Sequence, residues 1–165
     1  MKYYQIVVDA HYIPPVPVGW YGKIDQKTVA EKKSYKMPLH LLFETESHMQ
    51  MVFTDVIVFP CLMVSGTVRD VIMRYMPRTG FTRVILFDKG RRCSKAYYMP
   101  HLRSAGHIKK DINGSIAVEK ELLGDEAVVK MDGIDKTYII MRMDIVESVL
   151  RRGTVGVGLK EITIV

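Results

Sequence analysis

The side chains that could do chemistry are scattered along this chain of 165 residues and form no catalytic pattern. A nucleophile needs a base within hydrogen-bond reach and a third group that orients the base. Ser65, Ser94 and Cys93 are the candidate nucleophiles, yet none of them lies in a Gly-x-Ser-x-Gly elbow. We therefore predict no catalytic residue and expect a protein that is not an enzyme. A small enzyme of unknown reaction stays open as an alternative.

Metal and cofactor sites have no recognisable motif either. His40 and His48 have no nearby histidine, cysteine or carboxylate arranged at ligand spacing on one face. The glycines of residues 153–158 follow a predicted helix, whereas a nucleotide-binding loop precedes one. That stretch instead indicates a turn with close strand packing. We expect no metal and no cofactor.

Charge is unevenly distributed along a chain whose formal net charge is +6. Residues 66–110 are rich in lysine and arginine, and the balance turns acidic after residue 111. Within the basic stretch, Arg91, Arg92 and Lys95 come shortly before two adjacent tyrosines. Cations that meet phosphates beside rings that stack on bases would suit a nucleic acid. Adjacent strand residues point to opposite faces, however, so at least one tyrosine must face the core. Nucleic-acid binding is the first alternative, ahead of the small enzyme.

The only tryptophan, Trp20, stands beside Tyr21 at the end of a proline-rich connection. Pro14, Pro15 and Pro17 exclude a helix interior or a central strand there. An aromatic pair on a stiff loop could anchor a protein partner, or Trp20 could fold back over the core as a lid. Both interpretations are open. The candidate partner-binding residues are Trp20, Tyr21, Arg91, Arg92 and Lys95.

The elements that must position these residues centre on residues 51–110. We predict a strand over 56–59 with residues 61–64 as its continuation or exit, and a helix over 67–76 capped by Ser65. A strand over 81–87 and a return strand over 96–102 follow. Residues 23–36 are polar and predict a loop or disordered segment. Strands are expected at 3–9 and 38–44.

The C-terminal third predicts hairpins and one more helix. Asn113-Gly114 is a two-residue hairpin signal between strands 107–112 and 115–120, and strands 127–131 and 136–143 should pair around Asp132-Gly133. Asp144 should cap a helix over 145–152, before a terminal strand over 159–165. The class is therefore α+β, a mostly antiparallel mixed sheet with two short strand-helix-strand units. We expect a single domain over 1–165, with parts at 1–50, 51–110 and 111–165.

The cellular setting is predicted from what the sequence contains. Cys61 and Cys93 are too few for a disulfide scaffold and lack metal-ligand spacing. No apolar run approaches the roughly 20 residues that a membrane-spanning helix needs. The first residues are typical of a strand and not of a signal peptide. We expect a reduced, cytoplasmic protein without a membrane partner.

Five stretches occur in a characteristic order: residues 63–72 (MVSGTVRDVI), 84–87 (VILF), 97–99 (YYM), 138–142 (YIIMR) and 156–159 (GVGL). A strand passes into a helix that begins at a serine, and an aliphatic strand and a Tyr-Tyr return strand follow. This order resembles a family of bacterial immunity proteins encoded beside polymorphic toxins, although Leu159 stands where that family has an aromatic residue.

The resemblance implies a protein without enzymatic activity, which binds a cognate toxin and blocks it by occlusion. An inhibitor of this kind gains its affinity from a few desolvated aromatic or arginine anchors. Inhibitors of nucleases are often acidic, because they imitate nucleic acid. The basic balance of this chain therefore makes a nuclease a less expected target.

Overall fold

The computed structural model describes residues 1–24 and 38–165, so the loop predicted over 23–36 falls almost entirely outside the described residues. The strands are β1 Tyr3–Val8, β2 His40–Glu44, β3 Val56–Ile57, β4 Met63–Val64, β5 Phe81–Asp88, β6 Cys93–Pro100, β7 Ser104–His107, β8 Lys109–Lys110, β9 Ile116–Val118, β10 Val128–Asp132, β11 Thr137–Arg142, β12 Val157–Glu161 and β13 Thr163–Ile164. The helices are α1 Gly66–Tyr75, α2 Lys120–Leu123 and α3 Met143–Leu150.

These strands form two five-stranded sheets and a small third one. The first sheet has the order β12-β1-β11-β10-β7, and the second has the order β2-β5-β6-β4-β3. The small sheet has the order β13-β9-β8. Most neighbours are antiparallel, but β2 with β5, β7 with β10 and β9 with β13 are parallel. The predicted α+β class with a mixed, mostly antiparallel arrangement is confirmed.

The two strand-helix-strand units have the same topology. Strands β4 and β5 both lie antiparallel to β6, which separates them, and α1 connects them. Strands β11 and β12 lie in the same way on either side of β1, and α3 connects them. In each unit the helix therefore links two parallel strands across one antiparallel strand. The two helices pack against each other and join the two large sheets.

Three apolar clusters hold these layers together. The first lies around the two helices and takes Val68 and Ile72 from α1, Ile145 from α3, and residues of both large sheets. The second covers the other face of the second sheet with Trp20, Phe53 and Ile24, among others. The third lies between the first sheet and the small sheet with α2. The apolar alternation of the strands specifies these faces, since side chains of a strand point alternately to opposite sides.

The helix start predicted at Ser65 is confirmed, whereas the one predicted at Asp144 is wrong. The Ser65 hydroxyl accepts from the backbone N–H of Val68 at 3.4 Å. Helix α3 begins one residue before Asp144, and its N-cap is Arg142. The Asp144 carboxylate is bound by the Arg142 guanidinium at 2.8 and 2.9 Å. This ion pair, one residue further along the helix, takes the place of a side-chain cap.

Several predicted strand boundaries are also wrong. Residues 61–64 are the exit from the strand that begins at Val56 and not its continuation, because Met63–Val64 runs antiparallel to Val56–Ile57 and pairs with it. The hairpin at Asn113-Gly114 has a loop over 111–115, because the Asp111 carboxylate accepts from the N–H groups of Asn113 and Ser115. The strand predicted to end at 120 gives way to α2, and the terminal strand is split between two sheets.

Candidate protein-binding surface

The hairpin between β5 and β6 ends in a tightly organised basic turn. Asp88 is buried, and its Oδ1 accepts from the backbone N–H groups of Gly90 and Arg91 at 3.1 and 3.3 Å. Arg92 adopts a φ of 54°, in the left-handed region. The side chain at the end of β5 thus shapes the turn that presents the predicted arginines.

Arg91 fixes a second loop against this hairpin. Its guanidinium donates to the carbonyl oxygens of His48, Met49 and Met51 at 3.0, 2.6 and 2.5 Å. Five donors in a rigid planar fork allow one arginine to bind several carbonyls at once. Arg91 therefore positions the loop at residues 48–51 with groups that are no longer available to a partner.

The loop that Arg91 holds presents an exposed methionine. The Met49 side chain is 95% exposed, while Met51 is buried at 2%. Lys89 and Arg92, on either side of Arg91 in the hairpin turn, are exposed. Lys95 is half-buried, with its Nζ 5.8 Å from the ring centroid of Tyr97. This end of the second sheet combines an apolar tip with the exposed cationic side chains of Lys89 and Arg92.

Trp20 forms a separate aromatic group. Its ring packs edge-on against Phe59 at 5.5 Å and against Tyr21 at 5.9 Å between centroids. Trp20 is half-buried against the second apolar cluster, which corresponds to the lid interpretation. Tyr21 is 88% exposed and Phe59 57% exposed. The pair predicted from the sequence thus divides into a core residue and a surface residue.

The five predicted site residues fall into two groups. The β5–β6 register places Asp88 opposite Cys93 at one end and Phe81 opposite Pro100 at the other. Arg91, Arg92 and Lys95 belong to the first end. Trp20 and Tyr21 belong to the aromatic group with Phe59, in which Trp20 packs on the second apolar cluster.

Sequence reasoning missed Met49 and Phe59 as surface residues. Met49 stands two residues before a buried methionine, and Phe59 closes an apolar run that resembles a buried strand. Composition alone does not separate the exposed member of such a run from the buried ones. The contacts that fix the loop around Met49, from Arg91 and from Ile13, come from distant parts of the chain.

Tyr97 and Tyr98 do not offer free rings for stacking on a base. Tyr97 is fully buried, its hydroxyl donates to the Thr54 carbonyl at 2.8 Å, and burial raises its pKa. Tyr98 is half-buried, with the Arg69 guanidinium 4.1 Å from its ring centroid. The nucleic-acid hypothesis therefore lacks its aromatic component at this position.

A groove of about 340 Å³ lies beyond the end of α1 and is lined by several titratable side chains, which we compared with a catalytic arrangement. His101 Nε2 lies 2.9 Å from Thr82 Oγ1, and burial lowers the pKa of His101. Thr82 is fully buried, so its hydroxyl cannot reach a substrate in the groove. Arg103 is paired with Glu126 at 3.0 Å. The groove is thus lined by a histidine, the Arg103–Glu126 ion pair, the Asp125 carboxylate and the Thr79 hydroxyl.

Among residues 1–24 and 38–165, no three histidine, cysteine, aspartate or glutamate side chains are grouped so that they could hold a metal ion. In the same residues, no helix has the length and apolar character needed to cross a membrane. No protein-family model matches the chain, and a comparison with curated proteins found no similar sequence.

Proposed function

We propose that this chain is an immunity protein that binds a toxin protein and blocks it by occlusion. The observation that carries the proposal is the exposure of Met49, which is 95% exposed. It lies on a loop in which three backbone carbonyl oxygens accept hydrogen bonds from the Arg91 guanidinium. Large apolar side chains that a rigid backbone presents to solvent are suited to bury in a partner's pocket. Such an anchor has already lost the loop freedom that binding would otherwise remove.

The resemblance to immunity proteins supports the choice of a toxin as the partner. Three of its five stretches form the serine-capped start of α1, the aliphatic strand β5 and the Tyr-Tyr strand β6, and the other two lie at β11 and β12 of the first sheet. Strands β5 and β6 also carry the hairpin turn with Arg91 and Arg92 at its end. Part of the resemblance and the arginine turn of the proposed binding surface therefore lie on the same hairpin.

The chemistry of the surface indicates which features a toxin should have. The thioether of a methionine is polarizable and flexible, so Met49 can fill an irregular apolar pocket. Exposed Lys89 and Arg92 would meet acidic residues around that pocket. We expect the protein to act in the cytoplasm, where Cys61 and Cys93 stay reduced.

The proposal is tested by co-expression with the product of the neighbouring gene. We expect that product to arrest growth when expressed alone, and this chain to restore growth and to co-purify with it. Met49→Glu should weaken protection at least tenfold, because it places a charge in the apolar contact. Ile134→Glu is the matched control, since Ile134 is also fully exposed but lies in the β10–β11 turn.

The outcomes of these experiments test the immunity function and the role of Met49 separately. If the neighbouring product is toxic and the chain neither restores growth nor co-purifies with it, the immunity function is wrong. If Met49→Glu protects as well as the wild-type chain, the function stands and the assignment of Met49 as the anchor is wrong.

A further inference from the structure

The second sheet has one face that the apolar clusters cover only in part. The β2–β5 and β5–β6 registers align its side chains in three rows across the strands. The rows are His40–Arg83–Tyr98, Leu42–Ile85–Ala96 and Glu44–Phe87–Ser94. Because side chains alternate along a strand, these nine residues share the face opposite Val84, Leu86 and Tyr97.

The middle of this face is apolar and open. Leu42 is 62% exposed on the edge strand, and Ile85, Phe87 and Ala96 are partly exposed. None of the four belongs to the three apolar clusters that the described residues form. Helix α1 reaches the face at Tyr98, where Arg69 stacks on the ring. The Leu42–Ile85–Ala96 row is thus an apolar stripe without a described cover.

The charges on either side of this stripe have opposite signs. Arg83 is exposed in the row on one side, and Glu44 is exposed in the row on the other. We infer that this face binds a second copy of the chain about a two-fold axis along the Leu42–Ile85–Ala96 row. That rotation lays the row of Arg83 over the copy's row of Glu44, and the copy's Arg83 row over the Glu44 row of the first chain.

The charge pattern selects this axis over the other simple one. A two-fold axis along β5 would set Arg83 against Arg83 of the copy, where like charges repel. The axis along the apolar row gives an isologous interface, in which each contact occurs twice. Two sheets packed in this way lie about 10 Å apart with their strands roughly aligned.

The small area of this face determines the affinity that we expect for the dimer. A stable interface buries about 800 Å² on each partner, and a stripe three strands wide provides only the centre of such an area. The dimer should therefore be weak, with a dissociation constant on the order of 10 µM to 100 µM. The inference does not depend on the proposed function, since a second copy is its only ligand.

Sedimentation velocity on the full chain tests the inference, over concentrations from about 5 to about 500 µM. The wild-type chain should shift from monomer to dimer across this range. Leu42→Lys should weaken the dimer at least tenfold. The control Ile134→Lys changes a fully exposed residue in the β10–β11 turn and should leave the dimer unchanged. Arg83→Glu and Glu44→Arg should each weaken it, and the two changes together should restore it.

A wild-type chain that stays monomeric over the whole range would overturn the inference. A dimer that tolerates Leu42→Lys would overturn it too, because another surface must then associate. Circular dichroism shows whether each variant is folded. Should Leu42→Lys fail to fold, the paired exchange at Arg83 and Glu44 decides: recovery of the dimer supports the interface, and no recovery rejects it.

Discussion

The Arg91 guanidinium holds the backbone of Met49 and leaves the methionine side chain in solvent. Arg91 Nη2 donates to the Met49 carbonyl oxygen at 2.6 Å, and Met49 is 95% exposed. Arg91→Lys should release the loop, because an ammonium group is a single point donor that cannot span three carbonyls. We expect a loss of about 1 kcal/mol in the free energy of unfolding. Amide hydrogen exchange over residues 48–51 should become faster.

The control is Arg92→Lys, which changes the neighbouring exposed arginine without altering the Arg91 contacts. Hydrogen exchange followed by mass spectrometry, together with urea unfolding, measures both effects. Equal exchange in the 48–51 loop of Arg91→Lys and the wild-type chain would show that Arg91 does not position it.

The Arg91–Met49 contact and the Ser65 cap of α1 differ in how far the sequence could predict them. The Ser65 cap spans three residues, so the local sequence contains both partners of the hydrogen bond. Arg91 and Met49 are 42 residues apart, and no local pattern connects them. Sequence alternation likewise predicts that one of Tyr97 and Tyr98 is buried, and Tyr97 is the buried residue. It cannot reveal that Arg69 covers the other ring.

The glycine-rich stretch at 153–158 was predicted to be a turn with close strand packing, and two glycines show why. A Cβ on Gly156 would lie 2.4 Å from Thr54 Cγ2, and one on Gly158 would lie 2.9 Å from Val7 Cγ2. Thr54 is fully buried. No residue pattern near position 54 indicates this contact, so the close approach could be predicted but its partners could not.

Gly156→Ala and Gly114→Ala form a matched pair that separates backbone strain from steric overlap. Both glycines have a φ of +78°, but a Cβ on Gly114 meets nothing within 4 Å. Gly114→Ala should cost about 1 kcal/mol for the left-handed backbone. Gly156→Ala should cost about 2 to 4 kcal/mol, because overlap with Thr54 adds to the strain. Urea unfolding of both variants checks the difference, and equal costs would contradict the packing of Thr54 on Gly156.

The two cysteines should differ in reactivity toward a thiol reagent at neutral pH. Burial raises the pKa of the Cys61 thiol to about 12, whereas Cys93 is exposed at the start of β6. Only a thiolate attacks such a reagent, so a folded chain should be labelled rapidly once, at Cys93. Mass spectrometry of the labelled protein identifies the site. Cys93→Ser should label only on unfolding, and rapid labelling of that folded variant would show that Cys61 is accessible.

His101 should make the stability of the fold depend on pH in the mildly acidic range. Burial lowers its pKa from the usual value of about 6.5, so the unfolded chain binds a proton more readily than the folded chain. The stabilisation from neutral His101 is complete above the unfolded pKa. It is lost as the pH falls below about 6.5 toward the lower folded pKa, and no further loss comes from this group beyond that point.

His101→Gln should remove this part of the pH dependence, since glutamine does not titrate and its amide can still reach Thr82 Oγ1, which lies 2.9 Å from His101 Nε2. The measurement is the urea unfolding free energy at several pH values on both sides of 6.5. His107→Gln, which removes an exposed histidine outside the groove, is the control variant. Arg78, Arg103 and Glu126 line the same groove and are unchanged in both variants. A His101→Gln slope equal to that of the wild-type chain would mean that folding does not disfavour the protonated ring.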